Sequence, residues 1–168
     1  MSRLIQEIVG PFFDRQGFTC LCDPRRDSVA LFPFALPPEA GIGTLVAVYA
    51  HDRDHDLRIA AELCQVPDQE QASILSVLNQ LNLEDRWVKF YLTPTNAVFA
   101  EMDVELTYAA DAEKAFGLAF MTFLSALHED APRILRAVSP SPVTRSRLER
   151  EVDELLQQYR AGSDEASA

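Results

Sequence analysis

The fold is decided by the stretch WVKFYLTPTNAVFAEMDVEL, residues 87–106. Apolar and polar residues alternate over residues 88–93 and again over 98–107, which is the two-residue period of a strand buried on one face. The Pro94-Thr95-Asn96 segment between them has the residue types of a tight turn. The stretch therefore predicts a β-hairpin with one apolar face and one charged face.

A long apolar helix is predicted directly after the hairpin, where it can cover the apolar face. Asp111 can cap its first turn. Large apolar residues then recur at helical spacing, namely Phe116, Phe120, Phe123, Leu124 and Leu127.

Earlier elements follow from the same periodicities. A helix is predicted over residues 3–16, with Phe12 and Phe13 on its buried side, and the predicted strands cover residues 18–22, 28–35, 44–51 and 57–64. Another helix is predicted from Asp68 to Asn82, with Asp68 and Gln71 forming a capping box. Its predicted buried stripe is Ala72, Leu75, Leu78 and Leu81.

Three prolines predict irregularities. Pro11 removes a backbone donor inside the first helix, so we expect a kink or break after Val9. Pro33 predicts that its strand lies at an edge or ends early. Pro132 predicts that the long helix restarts or kinks, with His128 near a helix end.

These elements predict an α+β domain over residues 1–138, with an antiparallel sheet and helices packed mainly on one face. Residues 139–142, with the sequence SPSP, are predicted to be a linker. An amphipathic C-terminal helix is predicted over 143–160, and a disordered acidic tail over 161–168.

Composition excludes several function classes. A net charge of -11 argues against nucleic acid and anionic membrane surfaces, which need clustered Lys and Arg. We find neither a signal-peptide pattern nor an apolar run that could span a bilayer. Cys20, Cys22 and Cys64 do not form a disulfide framework. We therefore expect a cytoplasmic protein with reduced thiols and no cofactor.

Several short motifs resemble the YbjN family of small bacterial proteins, which are described as sensory transduction regulators. The motifs are LNQLN at 78–82, KFYL at 89–92, EMDVEL at 101–106, FLSAL at 123–127 and PRIL at 132–135. The resemblance covers roughly residues 4–138 in element order and implies a fold like that of class I type III secretion chaperones. Because those chaperones dimerise, it also implies a homodimer. The loop at 36–43 and the helix after Ser139 are additions to the family plan.

The charged face of the hairpin is the first candidate site. Glu101, Asp103 and Glu105 share this face with Phe99, and Lys89 and Tyr91 are expected across the hairpin. Cross-strand ion pairing explains such a face as ordinary solvated or dimer-facing sheet. A mixed aromatic and charged face is also what a protein partner uses. Paired carboxylates can serve in acid–base catalysis, but alternation predicts an open face without a water-shielded pocket.

The C-terminal helix is the second candidate surface. Its apolar stripe comprises Leu148, Val152, Leu155 and Tyr159. A stripe of this kind packs on its own domain, on a second copy or in a partner's groove.

The segment HDRDHD, residues 51–56, offers His51, Asp54 and His55 as metal ligands. Arg53 repels a cation, and these residue types are ordinary in a hairpin turn. Cys20 and Cys22 lack the two-residue spacer of zinc and redox motifs. We therefore predict no metal site and no catalytic residues, and interpret the chain as a non-catalytic protein-binding, chaperone-like or regulatory module. The alternatives are a metal-dependent enzyme or sensor using the His51–His55 turn, and a purely structural subunit that assembles with itself.

Overall fold

The computed structural model describes residues 2–22, 28–36, 43–51 and 55–138. Within these residues the chain forms an α+β fold around a six-stranded antiparallel sheet, in the order β1-β2-β3-β4-β6-β5. The strands are β1 (Leu21–Cys22), β2 (Val29–Ala35), β3 (Gly43–His51), β4 (Asp56–Gln65), β5 (Lys89–Leu92) and β6 (Ala97–Glu105). The α-helices are α1 (Gly10–Gln16), α2 (Gln71–Glu84) and α3 (Ala112–Ala137).

The predicted hairpin is β5 and β6, which pair in register from Lys89 opposite Glu101 to Leu92 opposite Val98. Asn96 in the connecting turn has a φ of 61°, a left-handed conformation that asparagine tolerates better than most residues. The turn chemistry that the sequence predicts is therefore present.

The two faces of the sheet have different surroundings. Val48, Ile59 and Met102 lie side by side on the face that packs against the helices, which we call the inner face. The residues that alternate with them, such as Tyr49, Arg58 and Asp103, lie on the opposite face, which we call the outer face.

An aromatic cluster fills the core between the first helical segment, β2 and α3. Phe13 stacks on Phe32 with ring centroids 5.6 Å apart and meets Phe120 edge-on at 5.0 Å. Gly117 of α3 lets Phe12 approach closely, because a Cβ atom at position 117 would lie 2.6 Å from its ring. The predicted burial of Phe12 and Phe13 is confirmed.

The predicted break after Val9 is not observed, because Val9 and Gly10 both have right-handed helical backbone angles, but the helix changes its hydrogen-bonding pattern at this point. Residues Ile5–Val9 form a π-helix, and α1 begins at Gly10 with the proline in its first turn. A proline in the first turn of an α-helix loses no intrahelical hydrogen bond. The π-helical turn before Gly10 therefore lets the helix contain Pro11 without an unpaired backbone group.

Pro33 lies on the edge side of β2. The Ala50 amide donates to the Ser28 carbonyl at 2.8 Å, and by the alternation of an antiparallel ladder this turns the backbone polar groups of Leu31 and Pro33 away from β3. The two-residue β1 pairs with Leu31 and Ala30 only. Pro33 therefore costs the β2–β3 ladder no hydrogen bond, as an edge position predicts.

Two predictions about α3 have different outcomes. Asp111 caps the helix, accepting a hydrogen bond from the Lys114 amide at 3.0 Å. The predicted restart at Pro132 is wrong, since α3 is one helix from Ala112 to Ala137 with the proline inside it. His128 is consequently an exposed residue within the helix and does not lie at its end.

Of the details predicted for α2, the burial of Leu78 and Leu81 is confirmed, whereas the capping box at Asp68 and the burial of Ala72 and Leu75 are wrong. Asp68 opens a short 3-10 helix, and its carboxylate accepts from the side chains of Asn96 and Gln71, without capping a backbone amide. The α2 core contacts come from Ile74, Leu78 and Leu81, while Leu75 is 44% exposed. Ile74 precedes Leu78 by four residues and Leu81 by seven, which is the spacing that places side chains on one face of an α-helix, and Leu75 lies beside that face.

The linker, the C-terminal helix and the tail predicted for residues 139–168 lie outside the described residues. Within the described part, no helix is long and apolar enough to cross a membrane.

Candidate protein-interaction surface

The sheet register brings together the six hairpin residues predicted to bind a partner. Glu101 lies opposite Lys89 of β5 and Ala60 of β4. Phe99 lies opposite Tyr91 and Glu62. Asp103 and Glu105 continue the same outward row along β6. The predicted placement on one open face is therefore observed, while its role in binding stays a prediction.

Arg58 neutralises part of this face. Its Nε atom lies 2.8 Å from Asp103 Oδ1 and 3.5 Å from Glu101 Oε1. The hydrogen bond to Asp103 is the main cause that raises the pKa of Arg58. Such exposed pairs contribute at most about 1 kcal/mol to stability. The cross-strand ion pairing that the sequence analysis considered thus balances the charge of Asp103 and part of the charge of Glu101.

Tyr91 and Phe99 form a small aromatic platform beside the carboxylates. Their rings stack with centroids 6.0 Å apart and planes inclined by 18°. The Tyr91 hydroxyl donates to Glu101 Oε2 at 2.8 Å. Burial, and then the hydrogen bond and charge of Glu101, raise the pKa of Tyr91 to about 12.

We expect Glu101→Gln to lower the pKa of Tyr91, because the neutral amide no longer disfavours the phenolate. The change is measured by ultraviolet titration of the phenols, with Tyr91→Phe identifying which transition belongs to this residue. Asp103→Asn is the matched control, since Asp103 accepts from Arg58 and not from Tyr91. An unchanged Tyr91 transition in Glu101→Gln would show that the hydrogen bond is not formed in solution.

The end of the face near the β3–β4 turn carries excess negative charge. Asp56 and Glu105 are direct cross-strand neighbours, and His51 lies on the other side of Asp56. Like charges placed opposite each other destabilise a sheet. Among the described residues no basic side chain is paired with Glu105, so this end can accept a cationic group.

The β1–β3 half of the outer face is apolar, which sequence reasoning missed. This half and the adjoining position on β4 carry Leu21, Val29, Leu31, Pro33, Leu45, Ala47, Tyr49 and Ala60. Of these, Leu21, Val29, Ala47 and Ala60 are buried without belonging to the core cluster. The signal is present in β3, whose sequence is apolar at both alternating sets of positions, as in a strand that is covered on both faces.

The metal alternative gains no support from the described residues. His51 and His55 are both exposed and flank the β3–β4 turn, but Asp54 lies outside the described part. Among the residues that are described, no three His, Cys, Asp or Glu side chains are grouped to hold a metal. Cys64 is a free thiol, and burial raises its pKa to about 12, which keeps it protonated and unreactive.

A shallow cleft lies between α1 and α3. It has a volume of about 670 Å³ and is lined in part by Phe12, Gly117, Leu118 and Met121. Leu118 is 73% exposed and Met121 50%. The ion pair between Arg15 and Glu113 lies beside it. The cleft is wide open, so it lacks the enclosure of a small-molecule site.

Residues 34–136 match the model of the YbjN family, described as "Putative bacterial sensory transduction regulator". The crystal structure of YbjN from E. coli is similar, with a TM-score of 0.60, 12% identity, and coverage of 79% of this chain and 94% of that one. A chain of the heterodimeric ExoU–SpcU complex, from the type III secretion system of Pseudomonas aeruginosa, matches with a TM-score of 0.52 and 14% identity. That match covers 80% of this chain and all of the other.

No curated protein sequence matches the chain. The identities to the solved structures are low, so these likenesses establish the fold, which is type III secretion chaperone-like. The family match spans more than half of the sequence and includes β3 to β6, α2 and nearly all of α3. By this match, the chain belongs to the YbjN family.

Proposed function

We propose that this protein is a non-catalytic regulatory or chaperone-like module of the bacterial cytoplasm, and that its outer sheet face binds a protein partner. The observation that carries the proposal is the outer face itself. It combines the Tyr91–Phe99 platform with Glu101, Asp103 and Glu105, while the described helices pack against the inner face. Aromatic side chains ringed by polar groups are characteristic of protein interfaces.

The charge of the surface indicates the chemistry of the partner. Arg58 is engaged by Asp103 and Glu101, and Glu105 faces Asp56. A basic segment can therefore pair with carboxylates here, and electrostatic attraction speeds its association. The regulatory description of the family and the heterodimer formed by ExoU and SpcU support binding of a protein partner.

We expect Glu101→Lys combined with Asp103→Lys to abolish partner binding. Reversing both charges replaces attraction by repulsion at the centre of the face, while exposed charges contribute little to folding stability. The measurement is affinity capture of the full chain from its own cells, with quantitative mass spectrometry of the co-purified proteins.

The matched control is Asp14→Lys with Glu129→Lys, which changes the net charge equally at exposed positions on the helices. Melting temperatures of both variants establish that they are folded. Undiminished capture of the partner by the outer-face variant would contradict the proposal. Light scattering of the purified chain tests the predicted homodimer separately.

A further inference from the structure

Helix α2 carries a second apolar face in addition to the one that packs in the core. Leu75 is 44% exposed and Leu83 is 84% exposed. Both lie four residues from Asn79, which is exposed as well. Because residues four apart are neighbours on a helix surface, these three side chains form one row, which we call the α2 row. Within the described part of the chain, no helix or strand buries this row.

The α2 row lies on the side of the helix that is turned away from α3. Asn82 of α2 reaches β5, where its side chain bonds the backbone of Phe90. Glu84 reaches α3, where it lies 2.6 Å from Arg133. With 3.6 residues per turn, Asn79 lies about 60° around the helix from Asn82 and about 140° from Glu84. The row is therefore open to another molecule on the β5 side of α2.

The absence of charge in the α2 row indicates what can bind there. The one charged residue among the 14 residues of α2 is Glu84, and it is paired with Arg133 of α3. The net charge of -11 makes two copies of the chain repel each other in general, but contact at this row brings no like charges together. A basic protein finds carboxylates on the outer face and none in the row. The row therefore suits a second copy of the chain better than a basic partner.

The order of side chains along the α2 row is the same in both directions. It reads Leu, Asn, Leu, with four residues or about 6 Å between steps. A two-fold symmetric contact joins the same patch of both subunits. With the axis at Asn79, the two α2 helices run antiparallel, and Leu75 of each copy lies beside Leu83 of the other. The two Asn79 amides then meet, and each offers a donor and an acceptor to the other.

From this exposure, lack of charge and symmetry, we infer that the α2 row binds a second copy of the chain as an antiparallel helix pair, and that Asn79 sets the alignment of the pair. A single polar residue in an apolar helix contact specifies register at a cost in stability, because other alignments leave its amide without a partner.

The contact is small and separate from the outer face. One face of a 14-residue helix buries less than a standard interface, so we expect a reversible dimer whose population rises with concentration. None of its residues belongs to the outer face, so the dimer contact does not rest on the proposed function.

The first test is sedimentation equilibrium of the full chain over a range of concentrations. We expect Leu83→Glu to raise the dimer dissociation constant by roughly 30-fold or more, since it places two unpaired carboxylates in one apolar contact. Ser73→Glu is the matched control, because Ser73 is exposed on the same helix and lies about 120° around it from Asn79. Melting temperatures establish that both variants are folded. A wild-type chain that stays monomeric, or equal effects of the two variants, would overturn the inference.

A mixture of Leu75→Cys chains and Leu83→Cys chains tests the antiparallel alignment. Under mild oxidation we expect a disulfide between position 75 of one copy and position 83 of another, mapped by mass spectrometry. Leu75→Cys chains alone should form no link between their introduced cysteines, because the two positions 75 lie about 12 Å apart along the helix pair, beyond the reach of a disulfide. A dimer without the link between positions 75 and 83 would contradict the alignment.

Asn79→Leu tests the role of the amide. In the cysteine-bearing chains we expect this substitution to lower the dissociation constant and to permit links between two positions 75, because the amide no longer disfavours other alignments. Links that stay restricted to positions 75 and 83 would show that Asn79 does not set the alignment. Capture of a partner by the outer face would still decide the proposed function independently.

Discussion

Replacing Phe13 by alanine is expected to lower the free energy of unfolding by about 3–5 kcal/mol. The Phe13 side chain is fully buried. Its ring contacts Phe12, Phe18, Phe32, Phe116 and Phe120, with centroid distances from 5.0 to 6.2 Å. The substitution opens a cavity at the point where the first helical segment, β2 and α3 meet, and rigid aromatic neighbours cannot close it.

The measurement is chemical denaturation followed by circular dichroism, together with the melting temperature, which should fall by about 6–20 °C. Phe13→Leu retains most of the volume and should cost about 1–1.5 kcal/mol. Leu118→Ala in α3 is the control, because Leu118 is 73% exposed and its truncation removes little buried area. A loss for Phe13→Ala no larger than that for Leu118→Ala would show that the aromatic cluster does not form as described.

The parts of the fold that follow from local chemistry were predictable. Alternation identifies β5 and β6, the cap at Asp111 locates the start of α3, and proline geometry locates the irregular turn before Gly10. Each of these depends on residues within one element, which is the range over which periodicity and capping act.

Features that depend on contacts between elements were not predictable in the same way. Asp68 accepts a hydrogen bond from the Asn96 side chain in the turn between β5 and β6 and does not cap its own helix, and this contact joins segments far apart in the sequence. Pro132 is accommodated within α3, whose flanking residues Ala131, Ile134 and Leu135 pack in the core. Tertiary packing overrides a local breaking tendency in such cases.

The charged half of the candidate site was predictable and its apolar half was not. Glu101, Asp103 and Glu105 alternate with apolar residues on β6, so their common face follows from one strand. The apolar half becomes visible only when β1, β2, β3 and β4 are placed side by side in register. When a strand is apolar on both faces, its sequence does not predict which element covers each face.

Asn82 forms a contact with β5 that no sequence pattern predicts, and we expect its substitution to reduce stability strongly. Its side-chain amide donates to the Phe90 carbonyl and accepts from the Phe90 amide, both at 2.8 Å. Because β5 is the last strand of the sheet, these backbone groups point away from β6. The Asn82 side chain thus forms the two hydrogen bonds that a further strand would form with Phe90. It thereby covers backbone groups at the sheet edge that could otherwise pair with another chain.

We expect Asn82→Ala to lower the free energy of unfolding by about 2–4 kcal/mol, because it leaves two half-buried backbone groups of Phe90 without partners. Hydrogen exchange gives the specific readout. The Phe90 amide should lose its protection, whereas the Tyr91 amide, which alternation directs toward β6, should keep it. Gln80→Ala is the matched control on the same helix, since Gln80 is exposed and bonds Glu84. The open edge of the Asn82 variant should also promote concentration-dependent association. Unchanged protection of the Phe90 amide would show that β5 is held by β6 alone and that Asn82 does not close the sheet.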